Sequence, residues 1–271
     1  MDRRTVLCAI LGVAVACTAC DVVDEPDRLI EVDADSFTFT NKVVLLEEFT
    51  GHLCVNCPQG AAVVASLQEW AGGHVIPVSI HCGSYAAVNQ VFAEDFTTEA
   101  GDAYYNEFEP DAFPSCMMDR TVGDGGVKIN SNYDMWQSDL ITCAAQAAPV
   151  VIELEASCDV AGQLSAKVTV TGIYTIDYDV SLQLWLVEDG IVGAQLSQEG
   201  IDYDYVHNHV LRGAINGTWG EPVGTISAGN SIERSYTYDI GGCVVENCKV
   251  VAFVYETASR GNVLQAAEVA L

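Results

Sequence analysis

Cys54 and Cys57 stand in the stretch "EEFTGHLCVNCPQG" (47–60), separated by Val55 and Asn56. Two thiols in a C-x-x-C arrangement can exchange with disulfides: one sulfur attacks as the thiolate, and the other closes a ring to release the product. The pair falls between an apolar, β-branched run ("KVVLL") and a run of helical composition ("AAVVASLQEW"). At such a joint the first cysteine is expected at the helix N-terminus, where unpaired N–H groups and the helix dipole favour a thiolate. The second is expected a turn inside. Cys54 is then the attacking sulfur and Cys57 the resolving one. His52 is a further candidate for steadying a thiolate, although a loop histidine is more often simply solvated.

The elements needed to hold these residues can be read from the surrounding pattern. "KVVLLEEFT" reads as a strand, "CPQGAAVVASLQEWAG" as a helix and "HVIPVSIHCG" as a strand. A long polar and aromatic insertion follows, then "FPSCMMDR" and a helical stretch near "NYDMWQSDLITCAAQAA". This is βαβ grammar over residues 37–148. From Pro149 onward short alternating strands separated by Gly and Asn turns predict an all-β antiparallel sandwich over 149–271. The expected fold class is thus an α/β domain followed by a β-sandwich.

C-x-x-C at a strand-to-helix joint within βαβ resembles the thioredoxin redox site. "AFPS" (112–115) is similar to the thioredoxin cis-proline loop, with Pro114 facing the cysteines. Glu48, six residues before Cys54, stands where thioredoxins carry a buried acid, and a desolvated carboxyl there would have a raised pKa and could pass a proton to or from Cys57. The resemblance makes Cys54, Cys57, Glu48 and Pro114 the catalytic set. Leu53 in place of the usual Trp, and Val55-Asn56 between the cysteines, leave redox direction open. The chain also resembles thioredoxin-like lipoproteins related to the 28-kilodalton outer membrane protein of bacteria. That resemblance rests on "VLLEEFTGHLCVNCP", "VSIHCG", "FPS", "HNHVLRGAINGTWGE" and "VVAFVYETASRGNVLQAAEV". It implies a thioredoxin-like domain, a C-terminal sandwich and anchoring in the envelope.

Export is readable at the N-terminus. Arg3 and Arg4, the apolar "TVLCAILGVAVA" and the small-residue "CTAC" have the layout of a secretion signal over 1–20. Its ending resembles a bacterial lipoprotein signal, with Cys20 lipidated and Cys17 as the competitor. Residues 21–36 read as an acidic tether. The expected location is the cell envelope, at the outer membrane, held by a lipid anchor. With 38 acidic against 11 basic residues and a formal charge of −27, nucleic acid is excluded as a partner. Protein thiols and disulfides of the envelope are the expected partners, and no cofactor or resident metal is expected.

Eight cysteines lie beyond the signal, an even number that suits an oxidising compartment. Cys243 with Cys248, across a tight turn, is a candidate structural disulfide. Cys143 with Cys158 and Cys82 with Cys116 are further candidates, since sequence does not assign connectivity. Two other readings of Cys54 and Cys57 stand beside catalysis: a permanent disulfide in a non-catalytic surface or interaction lipoprotein, and a Cu(I) chaperone site using soft thiolates. Acidic loops such as "DRTVGDGG" (119–126) lack EF-hand spacing and read as solvated charge.

Overall fold

The structure, a computed structural model, describes residues 37–271. The expected signal, Cys20, Cys17 and the acidic tether lie outside the described residues.

Strand β1 (Val44–Thr50) is buried at every position and lies at the centre of the N-terminal part. Helix α1 (Cys57–Ala71) crosses to β2 (Val75–His81), which runs parallel to β1. Helix α2 (Glu99–Phe108) follows the insertion, and β3 (Ser115–Met118) returns antiparallel on the other side of β1. A two-residue hairpin, β4 (Val122–Gly123) with β5 (Gly126–Val127), and helix α3 (Trp136–Ala144) complete this half.

The second half is almost wholly strand: β6 (Val150–Cys158), β7 (Gln163–Gly172), β8 (Ile176–Glu188), β9 (Ile191–Ser197), β10 (Gly200–His207), β11 (Val210–Ala214), β12 (Glu221–Ile226), β13 (Ser231–Asp239), β14 (Cys248–Glu256) and β15 (Val263–Ala270). The molecule is β-rich, with one large mixed sheet in the order β15-β14-β8-β11-β2-β1-β3, to which β12 adds beside β8. A separate antiparallel sheet, β13-β7-β6, covers one face of it, and β9 with β10 forms a free-standing hairpin.

The sequence changes character at 148/149, but hydrogen bonding does not stop there. Strand β11 lies parallel to β2, with Val210 opposite Ser79, and the Ser79 N–H donates to the His209 carbonyl at 2.7 Å. The outer edge of β2 would otherwise present unpaired backbone groups. One layer of the sandwich is therefore continuous with the sheet that carries β1.

Alternation along the central strands separates the cores. Leu182, Leu184 and Leu186 of β8, with Val250, Ala252 and Val254 of β14, face the β13-β7-β6 sheet. Trp185 and Val187, with Val251 and Phe253, face the opposite way and join Leu45, Phe49 and Tyr104. Beneath α1 and α3 lies a third core, with Val44, Leu46, Val64 and Trp136.

Those faces dispose of two expected disulfides. Cys82 belongs to the core with Tyr104, whereas Cys116 belongs to the core beneath α1 and α3, on the opposite side of the sheet. Cys143 is buried in that same third core, while Cys158 lies at the end of β6 against the sandwich core. All four are free thiols, and burial holds Cys82, Cys116 and Cys143 above the ordinary thiol range. Cys243 and Cys248 are also free, although their sulfurs face each other. Asp119, at the head of the acidic "DRTVGDGG" segment, is buried and spent internally: it accepts from the Leu45 N–H at 2.9 Å and pairs with Lys42 at 2.9 Å.

Candidate functional site

Cys54 and Cys57 are joined by a disulfide in the turn between β1 and α1. The helix begins at the head of the run "CPQGAAVVASLQEWAG", so the expectation of Cys54 at its N-terminus with Cys57 a turn inside does not hold. Cys57 is its first residue and Cys54 lies three residues ahead, because Pro58 is best accommodated in the opening helical turn, where its missing N–H costs nothing. The Cys54 N–H donates to the Gly51 carbonyl at 3.0 Å and the Cys57 N–H to the Cys54 carbonyl at 3.4 Å, which fixes the loop.

Glu48 and Pro114 are brought to the same place as the cysteines. The Phe113–Pro114 peptide bond is cis. A methyl group at Gly60, on the buried face of α1, would fall 2.7 Å from a Glu48 carboxyl oxygen and 2.7 Å from the Pro114 ring. Only glycine there lets the helix sit down on both. The Glu48 carboxyl accepts from the Ser79 hydroxyl at 3.4 Å, and its other oxygen has no protein partner. Burial pushes its pKa up to about 8, with the Ser79 hydrogen bond pulling weakly the other way. A small cavity of about 30 Å³ is lined by Glu48, Cys57, Ser79, His81, Gln195 and His207, room enough for a single water. Beside it a cleft of about 410 Å³ between α1 and the β10–β11 segment reaches Glu48 and Ser79.

The hairpin β9–β10 covers the disulfide, and nothing in the sequence pattern announced it. The Gln195 amide donates to the Cys54 carbonyl at 3.1 Å and to the Leu196 carbonyl at 2.9 Å. The Leu196 N–H donates to the His52 carbonyl at 2.8 Å, and the Gln198 amide donates to the Asn56 side chain at 3.3 Å. Each cysteine is left only 2% exposed.

His52 is not a solvated loop residue. With His81 and His207 it forms a buried group around Phe96, whose ring lies 5.9, 4.8 and 4.6 Å from the three imidazoles in turn. The His52 Nε2–H donates to the Ala87 carbonyl at 3.1 Å, and one ring nitrogen of each histidine is without a protein partner. Burial, followed by the neighbouring imidazoles His207 and His52, holds His81 well below the usual histidine range. Burial and then His52 lower His207 to about 4. The "HNH" run thus supplies one buried imidazole, His207, and a turn residue, His209, which has a positive φ of 60°.

The matched family region begins within α2. A family model described as outer membrane protein Omp28 matches residues 101–271. The chain belongs to the Omp28 family. The C-x-x-C segment and Glu48 lie ahead of the matched residues, and Pro114 lies within them. Among solved structures, this Omp28-family chain is similar in fold to HBP35 of Porphyromonas gingivalis, with a TM-score of 0.69 and 17% identity over 86% of this chain and 76% of that one. It is also similar to protein AGR_C_4864 from Agrobacterium tumefaciens, with a TM-score of 0.54 and 9% identity over 85% of this chain and 96% of that one. A domain of the outer membrane lipoprotein Omp28 from Porphyromonas gingivalis is 26% identical over 46% of this chain and 90% of its own length, with a TM-score of 0.33. No curated protein matches the chain.

Proposed function

We propose that this Omp28-family protein is a thiol–disulfide oxidoreductase of the cell envelope, with a thioredoxin-like N-terminal half and a lipid anchor at Cys20. The observation that carries the reading is Glu48: a buried, half-unpartnered carboxyl sharing one small cavity with Cys57. A purely structural bridge has no use for an acid whose pKa is lifted to about 8 beside the resolving sulfur.

In the oxidised state a substrate thiolate attacks the Cys54 sulfur once the hairpin has moved aside. The Cys54–Cys57 bond breaks, Cys57 leaves as a thiolate, and the Glu48 carboxylic acid protonates it. A second substrate thiolate attacks its partner sulfur in the mixed disulfide, releasing the substrate disulfide and Cys54 as a thiolate. The same steps in reverse reduce a disulfide. The partners are proteins of the envelope that carry thiols or disulfides, docking at the Pro114 side of the pair.

The second reading, a permanent disulfide in a non-catalytic surface protein, is favoured by the 2% exposure of both cysteines. Turnover separates the two. Wild type should catalyse insulin reduction by dithiothreitol, Cys54→Ser should abolish it, and Glu48→Gln should slow it about 10- to 100-fold as a lost proton relay does. Equal rates for wild type and Cys54→Ser would leave the permanent bridge as the account.

A further inference from the structure

A second dithiol lies at the far side of the sheet from β1, and its surroundings differ from those of a buried structural pair. Cys248 opens β14 on the face that points into the sandwich core and is buried, while Cys243, in the turn before it, is half-exposed. Their sulfurs and a Glu188 carboxyl oxygen lie within 4.8 Å of one another. Glu188 is the ladder partner of Cys248 on β8. The Arg212 Nε, on β11, is 3.4 Å from the Cys243 sulfur and 3.3 Å from Glu188.

We propose that Cys243 and Cys248 form a second thiol–disulfide exchange site, which takes a small, low-molecular-weight disulfide. A half-covered sulfur admits such a molecule more readily than the face of a folded protein. The asymmetry assigns the roles. Cys243 is reachable and is faced by a guanidinium, and its pKa is lowered to about 7 by the hydrogen bond from Cys248 and then by Arg212. Cys248 keeps its proton, because it donates that bond from a covered position. The Cys243 thiolate attacks one sulfur of the disulfide and expels the other half as a thiolate, leaving a mixed disulfide on Cys243. Cys248 then attacks the Cys243 sulfur and expels the second thiolate, and its proton passes to one of the two departing thiolates. The two protein thiols are oxidised to one disulfide, and the small disulfide is reduced to two thiols.

Two thiols and a carboxylate could also serve a divalent cation, but this group is already engaged. Glu188 accepts from the Val244 N–H at 2.8 Å on one oxygen and forms an ion pair with Arg212 at 3.3 Å on the other, and the Arg212 charge opposes a metal at the Cys243 sulfur.

The test uses the full chain carrying Cys54→Ser and Cys57→Ser, so that its outcome is independent of the first site. With glutathione disulfide at pH 7, this protein should close a Cys243–Cys248 bridge without accumulating an adduct. Adding Cys248→Ser should trap one glutathione on Cys243. In the protein that keeps Cys248, and with it the hydrogen bond that lowers the Cys243 pKa, Cys243 should consume glutathione disulfide about fivefold faster than the partly exposed thiol Cys158 forms its adduct, the loss of nucleophilicity offsetting part of the gain in thiolate. Adding Arg212→Gln should reduce that advantage. A bridge that 10 mM glutathione (about the strongest cellular reducing level) fails to open in the folded protein would overturn the proposal. So would a Cys243 rate no faster than that of Cys158, or protection of both thiols by stoichiometric zinc.

Discussion

Glu47 and Glu48 are neighbours on one fully buried strand, and the fold neutralises them by different means. Successive side chains of β1 point to opposite faces. Glu47 faces the Tyr104 side, where the Arg120 guanidinium meets both of its oxygens at 2.7 Å. Glu48 faces α1, where none of the described residues brings a cation to it, and its neutrality comes from holding a proton. The acid at 48 was marked by the thioredoxin resemblance, which implies a buried carboxyl six residues before the cysteine pair. Its distinction from Glu47 was not, since the partner of Glu47 lies 73 residues away. The sign of the pH effect follows. The Glu48 pKa rises from 4.5 to about 8 on folding, so its contribution to stability is full below the unfolded value and is lost as pH climbs through about 8. Stability should therefore fall by about 1.4 kcal/mol per pH unit across that window from this group alone. Urea midpoints for wild type and Glu48→Gln from pH 5 to 9 should diverge up to about pH 8, the variant gaining on the wild type, and keep that gap above it. Parallel curves would mean that Glu48 is ionised in the folded protein. The histidines act in the opposite sense: His81 and His207 fold as neutral bases, so their contribution is present above about 6.5 and fades as pH drops toward the lowered folded values.

The elements around the cysteines divide by how locally they are encoded. Strand β1, helix α1, strand β2 and strand β3 were all legible, because each announces itself by its own run of apolar residues. The cysteine pair was misplaced relative to α1: Cys54 belongs to a loop held by Gly51, and Cys57 opens the helix instead of lying a turn inside it. The hairpin β9–β10 was invisible: "IVGAQLSQEGIDYDYVH" alternates weakly, leaves Val192, Ile201 and Tyr203 exposed, and makes its decisive contacts with residues some 140 positions earlier. Its hold on the site is a handful of hydrogen bonds and the buried His207 ring against Phe96, with no wide apolar face of its own, which is how a cover that must open is expected to be built. Removing the Gln195 amide should cost about 1.4 kcal/mol of closure, a factor of about 10 in the open population. Gln195→Ala should thus be reduced by a small thiol about tenfold faster than wild type at pH 7, with little change in global stability. An unchanged rate would mean that the sulfurs are reached by another route.

For the molecule as a whole, sequence division and structural division part company. Strand–helix alternation and then strand-only patterning were readable on either side of 148/149. The single sheet that joins them was not, because β2 and β11 meet through Val210 and Ser79, and such pairing leaves no local trace. The second half therefore braces the first as well as covering its disulfide. Arg120 is central to that bracing. With consecutive left-handed residues Asp119 and Arg120, the turn after β3 aims the guanidinium at Glu47 and at the rings of Tyr104, Phe253 and Tyr255, 5.2, 5.2 and 5.4 Å away. Arg120→Met alone should lose about 3–5 kcal/mol in urea denaturation, because Glu47 is left buried without a partner. Pairing it with Glu47→Gln should recover most of that loss. A double variant no more stable than the single one would show that the rings, rather than the ion pair, hold the two halves together. Whether the first half can act while so braced is decided by how its disulfide opens. The most direct measurement is the rate at which dithiothreitol reduces Cys54–Cys57 in the folded protein as urea is raised below the unfolding transition. The account predicts measurable reduction in the absence of urea with a shallow urea dependence, as expected when only the hairpin lifts. A bridge that opens solely with the full urea dependence of global unfolding would contradict it.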